Sequence, residues 1–499
     1  MVMVGRCSMP NRINTANSMS NTPNRKLSIE KIGGTTMSDY PAVRDNIVLY
    51  TNNPYHRVLV VSAYSGVTDD LLEHKKTGQP GVYGLFAHND NKSDWVLAFQ
   101  QLGLKLTQIN HTLFKDADQL ALANEFINER IAKTKQLLNH LQVLCSHGHF
   151  SLDDHLLTVR ELLASIGEAH SAWNLSQLLK NEGVNTCFID LTGWESEDKQ
   201  RLDDVIIKNL EGIDFSDILP IVTGYAHCSE NLMDSFDRGY SEMTFSRISV
   251  LLKATEAVIH KEYHLSSADP RLVGEEQAIP IGKTNYDIAD QLANLGMEAI
   301  HPHAAKGLRQ AKIALRIKNA FEPEHHGTLI TDDYISESPQ VEIIAGMQHL
   351  IALEMFDQEM VGQQGRYEKV LIDMAARLQC KVITKDFNAN TITVFLDTSL
   401  KKAKRLAEQF KQQLPTTAVN TSKVSLASVM GSDMRIKGLL ARSVQTMFNH
   451  NINVEAMHQN IRQVEMQFFV NQSDYEKTIK ALHSSLIEIH DHGKAICEH

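Results

Sequence analysis

The chain has 499 residues, which is enough for several domains and a sizeable hydrophobic core. Its formal net charge of −11 argues against a general nucleic-acid-binding protein, which would need a basic face. No apolar run approaches the roughly 20 residues of a membrane-spanning helix, and the 6 scattered cysteines form no C-x-x-C pair. We therefore expect a cytoplasmic globular protein without a membrane or nucleic-acid partner.

A strand pattern, two glycines and a run of hydroxyl residues stand together in Ser28-Ile-Glu-Lys-Ile-Gly-Gly-Thr-Thr-Met37. Gly33 and Gly34 can adopt backbone conformations that a side chain would forbid. Thr35, Thr36 and Ser38 can accept hydrogen bonds at the start of a following helix. Such a turn directs backbone N–H groups toward an anion, and Lys31 adds a positive charge beside it. The pattern predicts a phosphate-binding turn that is neither a Walker P-loop nor a dinucleotide fingerprint, with an ordinary Gly-Gly turn as the alternative.

Strand and helix patterns alternate after this turn. Continuous apolar runs predict buried strands, and apolar residues at spacings of three and four predict helices. Because strands that alternate with helices usually pair in parallel, we expect an α/β domain with a mostly parallel central sheet. The predicted strands are Arg57–Ser62, Thr186–Asp190, Ile218–Gly224, Glu256–His260 and Ile313–Lys318, and the predicted helices cover about 93–143 and 156–180.

Polar side chains occur where several of these elements begin or end. Ser62 and Thr68 flank a turn at the carboxyl edge of the sheet, where open α/β sheets bind ligands. Arg238 could bind a carboxylate or phosphate through two hydrogen bonds from its guanidinium. Ser241 lies in the first turn of the next helix, where it could help to bind an anion. Glu168 lies on a helix, where it could meet a ligand ammonium. The structural alternatives are helix caps for the hydroxyls and a surface position for Glu168.

Several motifs follow one another in a recognisable order. They are Lys31-Ile-Gly-Gly-Thr-Thr36, Val58–Asp69, Gly167-Glu168, Val222-Thr-Gly-Tyr225, Arg238-Gly-Tyr-Ser-Glu-Met-Thr244, Ala268-Asp-Pro-Arg271, His301-Pro302 and Arg316-Ile-Lys-Asn-Ala-Phe321. In this order they resemble the amino acid kinase superfamily and, within it, the aspartate kinases. The segment Glu73–Tyr83 and the Gly-Tyr-Ser-Glu variant resemble the branch associated with ectoine synthesis.

The last part of the chain follows a β-α-β-β-α order. A regular copy covers Lys423–Leu486, and a less regular copy runs from His349 to about Leu414. This order resembles paired ACT regulatory domains, which follow the kinase domain in aspartate kinases. The resemblance predicts a three-layer αβα amino acid kinase fold followed by two α+β, ferredoxin-like ACT domains. The predicted bounds are a disordered tail over 1–25, a kinase domain over 26–335 with a helical insertion at about 93–160, and ACT domains over 340–416 and 422–490.

The resemblance implies ATP-dependent phosphorylation of the side-chain carboxylate of L-aspartate. The product, 4-phospho-L-aspartate, would enter the biosynthesis of aspartate-derived amino acids such as lysine and threonine, or of ectoine. Mg²⁺ would bridge the ATP phosphates mostly through water and with few protein ligands, and no metal-binding residue is assigned. The implied catalytic residues are Lys31 and Arg238, the implied aspartate contacts are Ser62, Thr68, Glu168, Tyr225, Gly239, Ser241 and Glu242, and the implied ATP contacts are Gly33, Gly34, Thr35, Lys261 and Arg271.

Several positions depart from the usual family pattern, and three of them bear on the nucleotide contacts. His260 and Lys261 stand where a Thr-Asp pair commonly contacts nucleotide, and Glu298 stands where a phosphate-facing lysine is common. A carboxylate would repel the ATP phosphates, so Lys261 or another cation would have to compensate. The alternatives are a kinase acting on another carboxylate such as glutamate, and a weakly active amino-acid sensor that works through its ACT domains.

Paired ACT domains imply a homodimer or a larger homo-oligomer. The loops at Gly362–Gly365 and Gly431–Met434 are candidate sites for an amino-acid effector. Simple strand-to-helix turns are the structural alternative for both loops.

Overall fold

The computed structural model describes residues 26–75, 77–88, 93–194, 199–236, 239–297 and 299–488, which form two compact units. The first unit contains 26–264 and His301–Gly327, and the second contains Leu265–Ile300 and 328–488. The tail predicted over 1–25 lies outside the described residues, and so do Arg238 and Glu298.

The first unit is built on a parallel sheet. Its strands are β1 (Ser28–Ile32), β2 (Arg57–Val61), β3 (Thr186–Ile189), β4 (Leu219–Thr223), β5 (Glu256–Lys261) and β7 (Ala314–Asn319). They pair in parallel in the order β3-β4-β2-β1-β5-β7, which confirms the expected parallel sheet. Strands β2 and β4 are buried along their whole length, as apolar strands in a sheet covered on both faces must be.

Helices surround this sheet. They are α1 (Gly34–Met37), α2 (Tyr40–Ala42), α3 (Val67–Leu71), α4 (Val82–His88), α5 (Asp94–Leu113), α6 (Ala117–Cys145), α7 (Leu156–Asn181), α8 (Leu202–Leu210), α9 (Leu232–Phe236), α10 (Tyr240–Leu251) and α13 (Pro302–Gln310), with a π-helical segment at Val43–Val48. The long helices α5 and α6 pack against each other within the predicted helical insertion. In the described parts of the chain, no helix is both long enough and apolar enough to cross a bilayer.

The second unit contains one pair of parallel strands and one larger sheet. Strands β6 (Lys283–Asn285) and β8 (Thr328–Thr331) pair in parallel. The larger, antiparallel sheet has the order β10-β11-β9-β12-β14-β13. Its strands are β9 (Ile343–Phe356), β10 (Lys381–Phe387), β11 (Thr391–Asp397), β12 (Ala418–Met430), β13 (Val454–Gln459) and β14 (Glu465–Asn471), and the helices of the unit are α11 (Pro270–Val273), α12 (Tyr286–Asn294), α14 (Gln364–Arg377), α15 (Leu400–Gln413), α16 (Leu439–Asn449) and α17 (Tyr475–Leu486).

The element order β-α-β-β-α occurs twice around this larger sheet, as the sequence predicted. Strand β9 has 14 residues and β12 has 13, and these two strands pair along almost their whole length. Since β12 starts at Ala418, the gap between the predicted ACT domains at 416 and 422 falls partly inside a strand. The domain bounds themselves stay predictions.

Two phenylalanines allow a matched test of this core. Phe469 on β14 is fully buried and stacks on Phe395 at a ring-centroid distance of 3.6 Å, whereas Phe448 on α16 is 73% exposed. We expect Phe469→Ala to lower the free energy of unfolding of the sheet by about 3–5 kcal/mol, because it removes apolar contacts and leaves a cavity. Phe448→Ala should change it by less than about 0.5 kcal/mol. Native-state hydrogen exchange at the amides of β12 and β14 measures both values, and equal effects would contradict the packing described.

Candidate active site

The turn after β1 runs directly into α1. The N–H of Gly33 donates to the carbonyl of His260 on β5 at 3.2 Å. Neither Gly33 nor Gly34 has a positive φ, so the expected need for unusual backbone angles was wrong. A glycine is needed at position 34 because of steric space, since a Cβ atom there would lie 2.7 Å from the carbonyl oxygen of Ala63. The expected hydroxyl cap was also wrong, because no side chain caps α1, and Thr35 is exposed instead.

Lys31 is buried near the carboxyl end of β1, with 8% of its surface exposed. Its Nζ lies 3.2 Å from Oε1 of Glu242 on α10. The other oxygen of Glu242 accepts a hydrogen bond from the backbone N–H of His301 at 2.5 Å. Burial acts to raise the pKa of Glu242, but the charges of Lys31 and Lys261 outweigh it and lower that pKa. Glu242 therefore holds the Lys31 ammonium in a fixed position beside the glycine turn.

Glu168 is a buried carboxylate in the middle of α7, which excludes the surface position that was its alternative. The backbone N–H of Tyr225 and the side chain of Tyr240 hydrogen-bond to this carboxylate. Burial raises the pKa of Glu168 to about 8, although the charge of Lys31 opposes that shift. Its Oε2 has no hydrogen-bond partner among the residues that the structure describes. A buried acceptor without a donor is costly, so this oxygen indicates a place for a ligand donor or cation.

Gly224, at the end of β4, brings these elements together. A Cβ atom there would lie 2.6 Å from Cβ of Ser241 and 2.9 Å from Oε2 of Glu168. Ser241 is 5% exposed in the first turn of α10. The small residue at Gly224 therefore lets α7 and α10 approach each other at the carboxyl edge of the sheet. We did not assign Gly224 to the site from the sequence, although it lies inside the Val-Thr-Gly-Tyr motif.

Two tyrosines lie next to Glu168. The rings of Tyr225 and Tyr240 meet edge to face at a centroid distance of 5.6 Å, and both are buried. The hydroxyl of Tyr225 interacts with Glu161, a second buried carboxylate on α7 that sequence reasoning missed. Its spacing of seven residues from Glu168 places both on one face of the helix, and this was the available signal.

Gly239 precedes α10, and a Cβ atom there would collide with the ring of His301.

The remaining predicted residues lie in different places. Ser62 follows β2 directly, and its N–H donates to the carbonyl of Ile32 at 3.1 Å. Thr68 is half-buried in the first turn of α3. Lys261 ends β5 on the same face as Lys31, since Lys31 is in register with Ile259. Arg271 lies in the second unit, where its guanidinium pairs with Asp269. Arg238 lies outside the described residues.

His260 points away from Lys31. Its Nε2 lies 2.8 Å from Glu30, whose carboxylate also accepts two hydrogen bonds from Arg57, at 2.5 and 2.7 Å. Burial acts to raise the pKa of Glu30, but the charge of Arg57 and these hydrogen bonds lower it strongly. Since neighbouring residues of a strand face opposite sides, Glu30 and His260 lie on the sheet face opposite Lys31 and Lys261. Of the unusual pair at 260 and 261, only Lys261 is therefore on the Lys31 face.

Comparisons with known proteins identify the family of the chain. A model of the amino acid kinase family matches residues 26–319, and a model of the ACT domain matches 428–486. The aspartate kinase Ask_Ect of Stutzerimonas stutzeri is 49% identical over 471 residues, which cover 94% of this chain and 99% of that protein. The chain belongs to the aspartate kinases of the amino acid kinase family. Its likeness to Ask_Ect confirms the resemblance to the ectoine-associated branch.

Solved structures of other aspartate kinases share the fold. The structure of E. coli aspartokinase III in complex with lysine and aspartate has a TM-score of 0.69 and 18% identity, over 93% of this chain and 100% of that one. Aspartokinase III in complex with aspartate and ADP has a TM-score of 0.67 and the same identity and coverage. These matches confirm the expected kinase and ACT architecture of this aspartate kinase.

The high pKa of Glu168 gives a test of its environment. The carboxyl group titrates near 4.5 in the unfolded chain and at about 8 in the folded protein. Between these pH values the folded state holds the proton that the unfolded state has lost, so this group makes the protein less stable as pH rises through the window. Glu168→Gln should remove this loss. As pH rises, the free energy of unfolding of the variant relative to that of the natural chain should increase by up to about 1.4 kcal/mol per pH unit.

Chemical denaturation of both ligand-free proteins from about pH 5 to about pH 8.5 measures this effect. Glu211→Gln is the matched control because Glu211 is exposed at the end of α8. The control should follow the natural chain at every pH. A stability difference for Glu168→Gln that does not change with pH would contradict a buried, protonated Glu168.

Proposed function

We propose that this aspartate kinase transfers the γ-phosphoryl group of ATP to the side-chain carboxylate of L-aspartate at the cluster of Lys31, Glu168 and Ser241. The observation that carries the proposal is the unpartnered Oε2 of Glu168, buried within the electrostatic reach of Lys31. L-Aspartate carries one ammonium and two carboxylates. The cluster carries groups of complementary charge, which are the carboxylate of Glu168 and the ammonium of Lys31. An N-acylated amino acid would lack the cation that the Glu168 carboxylate needs.

Glu168 is proposed to bind the α-ammonium of aspartate. An ammonium at Oε2 would donate the hydrogen bond that this oxygen lacks, and its charge would favour the ionised carboxylate. Substrate binding would therefore lower the pKa of Glu168 from its free value of about 8. Ser241, Ser62, Thr68, Tyr225, Gly239 and Arg238 are proposed to line the pocket around the rest of the substrate.

Lys31 is proposed to neutralise the charge that develops on the phosphoryl group in transit. The attacking carboxylate is already ionised at neutral pH, so the reaction needs no general base, and the enzyme contributes position and charge. The ion pair with Glu242 keeps the Nζ of Lys31 beside the glycine turn before substrates arrive. Glu242 is thus proposed to act mainly by positioning Lys31 and to lie next to the aspartate pocket.

The glycine turn and Lys261 are proposed to bind ATP. Gly33, Gly34 and Thr35 form a turn with no room for a Cβ atom at Gly34. Lys261 supplies a second cation on the same face of the sheet as Lys31. Within the described ranges, no group of three or more His, Cys, Asp or Glu side chains could hold a metal ion. Mg²⁺ is proposed to bind chiefly to phosphate oxygens and water, as the family resemblance implies, and Arg271 is assigned to the nucleotide on the same ground.

The ACT region is proposed to regulate the enzyme and to form a homodimer or larger homo-oligomer. Aspartokinase III of E. coli has been solved in complex with lysine and aspartate. In this chain, the loop after β12 brings the Oγ of Ser432 within 2.5 Å of Glu342, a fully buried carboxylate. That loop and the one at Gly362–Gly365 are the proposed sites for an amino-acid effector.

The reaction can be tested by trapping acyl phosphate with hydroxylamine. MgATP and L-aspartate should yield aspartyl hydroxamate, and Lys31→Ala should lower the rate at least about 100-fold because it removes a buried charge that faces the transferring group. Lys306→Ala is the matched control, since Lys306 is an exposed lysine on α13. Product with glutamate but not aspartate would favour a different carboxylate substrate, and no product with either would leave a sensor role for the ACT region.

Glu168→Gln separates substrate binding from phosphoryl transfer. We expect KM for L-aspartate to rise about tenfold or more while KM for ATP stays the same, because a neutral amide cannot pair with the α-ammonium. Glu125→Gln, at an exposed position on α6, should leave both constants unchanged. An equal rise of both KM values would contradict the specific assignment of Glu168 to aspartate.

A further inference from the structure

The first unit contains a cavity of about 440 Å³ that the proposed reaction does not use. Its floor is the sheet face that carries Glu30 and His260, opposite the face of Lys31. Its other walls come from the π-helical segment Val43–Val48 and the loop up to His56. The cavity is therefore a separate feature from the glycine turn and the Glu168 cluster.

Its lining has more positive than negative charge. The permanent cations are Lys26, Arg57, Arg316 and Lys318, and the carboxylates are Glu30 and Glu256.

Two of these cations are already paired. Arg57 donates two hydrogen bonds to Glu30, and Arg316 donates two to Glu256, at 2.7 and 2.9 Å. Lys26 and Lys318 form no ion pair with any described residue, which leaves two positive charges without a counter-ion.

Lys318 is the important member of this set. Its Nζ donates to the carbonyl of Pro323 at 3.3 Å and lies 5.8 Å from the ring centroid of Tyr50. Burial lowers the pKa of Lys318, and the positive charges of Arg316 and Arg57 act in the same direction, against the opposing effect of Glu30 and Glu256. A half-buried ammonium in this situation gains stability from any anion that binds next to it.

The sequence before Lys26 contains no acidic residue. Residues 1–25 include Arg6, Arg12 and Arg25. A bound anion would compensate the charges of Lys26 and Lys318. A phosphate dianion would match these two charges, and it would also accept hydrogen bonds from the amide of Asn46 and the imidazole of His56, which line the same cavity.

We propose that this cavity is a second anion site that binds a phosphate-bearing small molecule, with Lys318 as its main ligand and Lys26 at its rim. The cavity is larger than one phosphate ion, and the rings of Tyr50 and Tyr55 provide apolar surface for an organic part of the molecule. Free phosphate and an organic phosphate share the chemistry recognised by Lys318, and they differ only in their use of this additional surface.

Isothermal titration calorimetry on the full chain tests the proposal. The ATP site is first filled with a single equivalent of a non-hydrolysable ATP analogue, so that the cavity stays open and added phosphate must bind there. Inorganic phosphate is titrated in one series and uridine monophosphate in another. Both should bind with one equivalent per chain, and a lower Kd for uridine monophosphate would identify an organic phosphate as the preferred ligand.

Lys318→Met should raise either Kd about tenfold or more, because it removes a charge-assisted hydrogen bond while keeping a side chain of similar length. Lys208→Met, at an exposed position on α8, is the matched control and should change neither Kd. No binding to the natural chain once the ATP site is filled, or the same Kd in all three proteins, would overturn the proposal.

A second variant keeps the test valid if Lys318→Met does not fold. Lys26→Met changes an exposed residue and should raise Kd about threefold, as expected for a weaker, solvent-exposed contact. The hydroxamate assay serves as the check of folding, because neither lysine belongs to the proposed catalytic cluster. An unchanged Kd for Lys26→Met together with unfolded Lys318→Met would also count against the site.

Discussion

The parallel pairing of β1 between β2 and β5 is the constraint on which the rest of the first unit depends. It fixes Lys31 in register with Val60 and Ile259, so that its ammonium reaches Glu242 on α10. It also brings the glycine turn against the end of β5 and the chain that follows β2. Charge and backbone donors therefore meet at one edge of the sheet without any long loop having to be ordered for the purpose.

The same pairing separates two kinds of chemistry by the alternation of side chains along a strand. One face of β1 and β5 carries Lys31 and Lys261, and the other carries Glu30 and His260. Because Glu30 pairs with Arg57, its charge is neutralised locally and does not oppose the cations across the sheet. Opposite charges next to each other in the sequence are thus compatible with one edge of the sheet being the proposed phosphate-binding site.

Much of the fold followed from the sequence, because apolar runs and helical spacing report burial directly. The strands, the long helices and the repeated β-α-β-β-α order lie within a few residues of their predicted positions. The details of the site were harder to predict. The burial of Glu168, the reason for Gly34 and the direction of His260 depend on strand register and helix approach, which are contacts between distant parts of the chain. No local pattern distinguishes a buried Glu168 from an exposed one.

The two long strands β9 and β12 have a consequence for the evolution of the ACT region. Each β-α-β-β-α repeat contributes one of them, and they pair with each other along the middle of the sheet. Exchange of one repeat by recombination would replace one side of this shared ladder while keeping the other. The two repeats are therefore expected to evolve as one module, with matched substitutions across β9 and β12, and to melt in a single cooperative step.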